Sequence, residues 1–179
     1  MNRWRIWALL VAVLATLLGG RLLMNSVQPE VFIQSDISAA KIVRDNKRYV
    51  VDIAMLATDV ERMFLMEASE RVGEDLSKSG ALEREIGKFV GNRVTMRDDS
   101  GAVCASTVAR AGEDPANDEG VLVVLSFECA SDNATYDATR LLTTQGPRAW
   151  QVVTTMRGEM KRQVLVNWES PPVAMSDAH

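Results

Sequence analysis

"VLVVLSFEC", residues 121–129, decides the fold. Val121, Val123, Leu125, Phe127 and Cys129 fall on one side of it, a period of two that belongs to a strand with one face in a core. Upstream, "KRYVVDIAML" (47–56) repeats the pattern with Tyr49, Val51, Ile53 and Met55 on one face. Val31 with Ile33, and Ala40 with Ile42, read as shorter versions. Downstream, "TYDATRLL" (135–142), "RAWQVVTTM" (148–156) and "MKRQVLVNW" (160–168) read as further strands. In the last two, Trp150 shares a face with Val152, and Val164 and Val166 share one with Trp168. Arg157-Gly158-Glu159 reads as the hairpin turn between them.

Between Thr58 and Arg93 the period changes to that of a helix. Thr58 or Asp59 is placed to cap a segment carrying Val60, Met63, Phe64 and Ala68 on one face. After "LSKSG", Leu82, Ile86, Phe89 and Val90 form a second helical stripe. Strands resume with "NRVTMR" (Val94 and Met96 on one face), the turn "DDSG" (98–101), "AVCASTVARA" (102–111) and the polar loop "GEDPANDEG" (112–120). Eight or nine strands at this spacing predict a mainly β protein, an antiparallel Ig-like β-sandwich with a short two-helix insertion over about 58–91.

The chain begins "MNRWRIWALLVAVLATLLGGRLL" (1–23), basic and then apolar. That order suits either a cleaved signal peptide or a signal anchor, and Arg3 and Arg5 keep the N-terminus on the cytoplasmic side. Val13-Leu14-Ala15 would leave a short apolar region before cleavage, and Leu18-Gly19-Gly20 puts a leucine where a small residue is needed. Ile6 to Met24 nearly reaches the ~20 residues of a bilayer span, with Arg21 as its single charge, able to snorkel to the outer interface. Retention is therefore the expectation: a single-pass transmembrane helix over 1–24, with Trp4 and Trp7 at the interface of the lipid bilayer. A stalk (25–30), the extracytoplasmic sandwich (31–169, in the periplasm or cell exterior) and a flexible tail (170–179) follow.

In an exported chain, Cys104 and Cys129 on neighbouring strands are expected to form a disulfide buried in the sandwich. Two unlinked buried thiols, or metal or redox chemistry, are the alternatives. The net charge of −4 argues against a nucleic-acid partner, and Lys47-Arg48 and Lys161-Arg162 read as solvated strand positions. The single histidine, His179, lies at the C-terminus, which speaks against a His-based catalytic triad or a His-rich metal site. Met63 and Met66 stand i, i+3 and could offer thioethers to Cu(I), or simply pack. Glu113, Asp114, Asn117, Asp118 and Glu119 lack calcium-loop spacing and read as a solvated connection. Glu67, Glu70, Glu74 and Asp75 read as a solvated helix face. No phosphate loop or nucleophile elbow is present, so no catalytic residue and no cofactor is expected.

The order of these features resembles the N-terminal extracytoplasmic domain of the HupE/UreJ-type membrane proteins, over roughly Val31 to Trp168. The resemblance lies in "RYVVDIAML" ending at a Thr-Asp step, the helical acidic insert, "NRVTMRDDSGAVC" and "VVLSFEC" leading to a Leu-Leu strand and a terminal hairpin. That family is associated with nickel or cobalt handling and continues into a multi-helix membrane domain with histidines, which this sequence does not contain. The resemblance therefore implies only an exported β-rich module beside a membrane protein. The expected function is a non-enzymatic accessory, docking or assembly subunit of a membrane complex whose partner is an integral membrane protein. The alternative is an exported ligand- or metal-binding protein using Met63, Met66 and the acidic loop.

Overall fold

Strands β1 (Ile37–Asp45) and β2 (Arg48–Leu56) form a hairpin whose register puts Ile42 opposite Val51 and Asp45 opposite Arg48. Asn46 turns it at φ 55°, a conformation asparagine tolerates better than most residues. This is a computed structural model, and it describes residues 35–68, 80–158 and 160–175, the side chains of 65–68 excepted. The expected transmembrane helix, stalk and Val31–Ile33 strand lie outside those residues, as do Trp4, Trp7 and Arg21. Among the described residues no helix is long and apolar enough to cross a membrane.

Helices α1 (Ala57–Ala68) and α2 (Ala81–Gly91) follow, then β3 (Thr95–Asp98), β4 (Ala105–Asp114), β5 (Asn117–Glu128) and β6 (Ala134–Asp137). Helix α3 (Thr139–Gln145), β7 (Trp150–Arg157), β8 (Met160–Asn167) and β9 (Val173–Ala174) complete the described chain. One sheet has the order β4-β5-β2-β1-β7-β8 and the other β3-β6-β9. The chain is thus mainly β with two sheets. The purely antiparallel arrangement expected is corrected at one pairing: β1 and β7 run parallel, with Ile37 beside Trp150 and Val43 beside Met156. A parallel pair needs a long crossover, and everything from β2 to α3 lies between these two strands.

The inner face of the six-stranded sheet makes the core. Tyr49, Val51, Ile53 and Met55 are fully buried, as are Val123 and Leu125 of the 121–129 stretch. Val60 and Met63 of α1, Phe89 and Val90 of α2, and Leu141 and Leu142 of α3 join the same cluster. The second sheet adds Met96, Tyr136 and Val173.

Four expectations are corrected. Leu141-Leu142 is helical where a strand was read: the Asp137 carboxylate accepts the Thr139 N–H at 2.8 Å, a local turn that ends β6 just ahead of the helix, whose N-cap is Ala138. Leu82 is exposed at 46%, and α2 turns Ile86, Gly87, Phe89 and Val90 inward instead. Asp59 stands inside α1, where it accepts the backbone N–H of Asp36 at 3.0 Å. Residues 170–175, expected to be a flexible tail, belong to the fold: β9 pairs with β6, and the Met175 N–H donates to the Ala134 carbonyl.

Candidate functional site

The two cysteines flank the β4–β5 hairpin. Cys104 and Cys129 form a disulfide with a Cα–Cα distance of 4.5 Å, closing the open end of the β4–β5 hairpin. Each is also tied to another element: the Cys104 N–H donates to Met96 O at 2.8 Å, and the Cys129 N–H to Lys47 O at 2.9 Å. The bridge is thus a junction of β3, β4, β5 and the β1–β2 turn.

The first surface of interest is the outer face of the large sheet. Register places Leu122, Ala54, Ala39, Val152 and Leu165 side by side on β5, β2, β1, β7 and β8. This apolar row is half-buried, apart from Leu165 at 55% exposure. Trp150, 39% exposed, extends it beside Ile37. The next row is polar, with Asp52 directly opposite Lys41 and Thr154 accepting from Gln163 Nε2 at 3.0 Å. Trp150 and Val152 do share a face, as their spacing implied. That face is the outer one, and Gln151 and Val153 go into the core.

The second is a groove of about 460 Å³ at one end of the same sheet, where the ends of β1, β2, β7 and β8 meet Ala174 and Met175. Ile42, Tyr49, Met156, Met160, Ala174 and Met175 provide its apolar lining. Arg44, Arg157, Lys161 and Arg162 provide four cations, and no carboxylate lines it among the described residues. Arg44 reaches Asp132 at 3.7 Å and donates through Nε to Asn46 O at 3.2 Å. The Tyr49 hydroxyl donates to Asp132 O at 2.6 Å. Burial raises its pKa, Arg44 opposes the rise and Asp132 adds to it. Lys161 and Arg162, read from the sequence as merely solvated, are exposed but stand at this groove. The signal for it was the local density of "MRGEMKR" (156–162), in which three cations alternate with methionines across one hairpin.

A third cluster surrounds Asp59, 2% exposed in α1. It accepts from Arg62 at 3.0 Å, from the Asp36 N–H, and from Gln145 Nε2 at 3.4 Å. Arg62 also pairs with Asp36 at 2.8 Å, so the network binds the chain ahead of β1 to α1 and α3. Gln145 Oε1 is buried with no partner among the described residues.

The remaining candidates are dispersed. Met63 is 1% exposed in the core, and the side chain of Met66 lies outside the described residues. The stretch 112–120, read as a polar loop, is corrected: β4 runs to Asp114 and β5 starts at Asn117. Asp114 is buried, and Asp114 and Asn117 accept the N–H groups of Ala116 and Glu119 about the short turn. Glu67 likewise has no described side chain, and Glu70, Glu74 and Asp75 lie outside the described residues. No group of three or more His, Cys, Asp or Glu residues placed to hold a metal occurs among the described residues. No protein-family profile and no curated protein matches the chain.

Proposed function

We propose that the chain is a non-enzymatic, single-pass module whose β domain faces the periplasm or cell exterior, and that it serves as an accessory or assembly subunit of a membrane complex. The observation that carries this reading is the apolar row across the outer face, Leu122–Ala54–Ala39–Val152–Leu165, with Trp150 at its end. Aromatic and aliphatic residues grouped on an uncovered surface are characteristic of protein interfaces, and Trp is the commonest anchor among them. The outer face as a whole, apolar and polar rows together, presents roughly 600 Å² from six strands at ~4.8 Å spacing and about eight residues long, near the ~800 Å² per partner of a standard interface, with the apolar row as its centre.

The occupant of this face is an extracytoplasmic surface of an integral membrane protein. The apolar segment over 6–24 supports that choice, because an anchor holds the domain at the membrane and raises its effective concentration there. The Cys104–Cys129 disulfide supports an oxidising compartment. The resemblance to the extracytoplasmic domain of HupE/UreJ-type proteins is consistent with a β-rich module of this kind, and no transport activity follows from it.

The test is mild detergent extraction of the intact protein with whatever accompanies it, followed by mass spectrometry of the native assembly. An uncleaved mass and a stoichiometric integral membrane partner, lost in Val152→Glu/Leu165→Glu, are expected. A mass beginning near Thr16 or Val27 would rule out the anchor. Retention of the partner by the folded double variant would move the docking surface elsewhere.

A further inference from the structure

We infer that the groove at the β1, β7 and β8 ends is a binding site for a single-chain amphiphilic anion, a fatty-acyl carboxylate taken as a monomer. This does not rest on the accessory-subunit reading, because it concerns a different part of the sheet and different residues.

Three observations carry it. The groove, at about 460 Å³, lies within the ~300–1,000 Å³ typical of small-ligand sites. Its lining is apolar and deformable: Met156, Met160 and Met175 have unbranched, polarisable side chains that repack around a flexible chain, with Ile42 beneath them. Among the described residues its charged complement is of one sign. On the inner face, Arg44 stands opposite Tyr49 and Arg162 opposite Thr155; Lys161 and Met156 pair with each other on the outer side and line the groove from there. Gathering like charges around apolar surface costs stability through mutual repulsion, and packing alone gives no reason for it. Arg44 is partly neutralised by Asp132, whereas Lys161 and Arg162 have no ion-pair partner among the described residues.

The same features select against other ligands. Apart from Thr155, Tyr49 and the cations, the lining offers few side-chain donors or acceptors with which to read a sugar or a base. A compact inorganic anion would leave the methionines unused. An extended acidic peptide would be expected along the backbone edge of β8, the outermost strand, rather than in the groove beside it. An anionic head at Arg162 and Arg44, which share the inner face, with Lys161 adding charge from the other side of β8 and an acyl chain over the methionines and Ile42, uses both halves of the lining.

The experiment uses the full chain in zwitterionic phosphatidylcholine nanodiscs, where no detergent competes. A diazirine-bearing dodecanoate is photo-crosslinked, and the labelled peptides are mapped by mass spectrometry. A dodecylamine carrying the same diazirine is the counter-probe. Labelling within 155–162 and at Met175 is expected, about tenfold weaker for the amine and about tenfold weaker for the anion in Lys161→Gln/Arg162→Gln. Both substitutions are at exposed positions, and circular dichroism together with an intact disulfide confirms that the variant is folded. Excess unlabelled dodecanoate should remove the labelling. Equal labelling by the amine, labelling confined to residues 6–24, or unchanged labelling of the folded variant would overturn the proposal. Protection by phosphatidylglycerol in the disc but not by dodecanoate would overturn it too, assigning the groove to a membrane lipid headgroup instead.

Discussion

The Tyr136 hydroxyl donates to Gln151 Oε1 at 3.0 Å, both side chains almost wholly buried, and joins the three-stranded sheet to the six-stranded one. Gln151 also donates through Nε2 to Ser38 Oγ at 3.3 Å, which carries the connection on to β1. A glutamine in the core is stable only while its amide is paired. Tyr136→Phe leaves Gln151 Oε1 unpaired and is expected to cost about 1–3 kcal/mol in urea denaturation. Adding Gln151→Met to Tyr136→Phe should cost less than the sum of the two single variants, because no buried polar atom is then stranded.

The same tyrosine predicts how stability responds to alkali. Burial raises the Tyr136 pKa far above the phenol range, the Gln151 hydrogen bond opposes the rise, and Asp137 adds to it. Tyr49 is raised as well, by burial first. The folded state therefore holds these protons after the unfolded chain has released them. The stability they contribute is complete below about pH 10 and declines as pH rises above it. Thermal unfolding between pH 9 and 11, on the order of the phenol range, should show a falling Tm, and the fall should be shallower in Tyr136→Phe.

The period-two strands were legible because each buries one face: Tyr49 to Met55 and Val121 to Cys129 are buried at every alternate position, as their spacing implied. Helix α3 was hidden by two adjacent leucines, which suit a strand or a buried helix equally until the Asp137–Thr139 turn ahead of it is seen. At β7 the largest apolar residue, Trp150, misdirects a reading by hydrophobicity. The core takes Gln151 instead, since Tyr136 and Ser38 await it from elements distant in sequence. The parallel β1–β7 pairing is likewise non-local and leaves no period in the chain. The groove is the least legible feature, assembled from β1, β2, β7, β8, β9 and Met175, none of which shows alone that the others converge there.

The Cys104–Cys129 bridge closes a segment with a sequence separation of 25, and the chain-entropy account assigns about 3.5 kcal/mol to such a closure. Cys104→Ala/Cys129→Ala, or reduction of the native protein, should lower the Tm. The loosening should extend beyond the β4–β5 hairpin, because Met96 and Lys47 bond to the backbone of the bridged residues. Hydrogen exchange should accordingly rise at Cys104 and Cys129 together. A rise confined to the β4–β5 turn would show that the junction holds without the bridge.

Asp98 predicts an acid dependence of opposite sense to the tyrosines. Its carboxylate accepts from the Ser100 hydroxyl at 2.6 Å and from the N–H groups of Ser100 and Ala102, each at 3.0 Å. The Ser100 hydroxyl bond is the main cause of its lowered pKa, with burial opposing it and the two backbone bonds adding to it. A depressed carboxylate contributes stability that is present above its unfolded pKa of about 4 and lost as pH falls below that value. Asp98→Asn should be less stable at neutral pH and should lose less on acidification, as read by Tm from about pH 6 to 2.

Gly87 tests how closely α2 lies on the sheet. A Cβ there would stand 2.7 Å from Val108 Cγ1 and 3.3 Å from the Ala111 Cβ, both on the edge strand β4. Val108 is β-branched and has little freedom to turn away, so the helix or the strand would have to shift. Ordinarily Gly→Ala inside a helix gains about 1 kcal/mol from propensity. Here overpacking should outweigh that gain and leave Gly87→Ala destabilised by about 1–3 kcal/mol. Val108→Ala removes the obstructing methyls, so Gly87→Ala/Val108→Ala should recover most of the loss, with the helix propensity gain now expressed. Urea denaturation of the four proteins in the cycle gives the coupling directly. Additive effects would mean that α2 does not rest on β4 through this glycine.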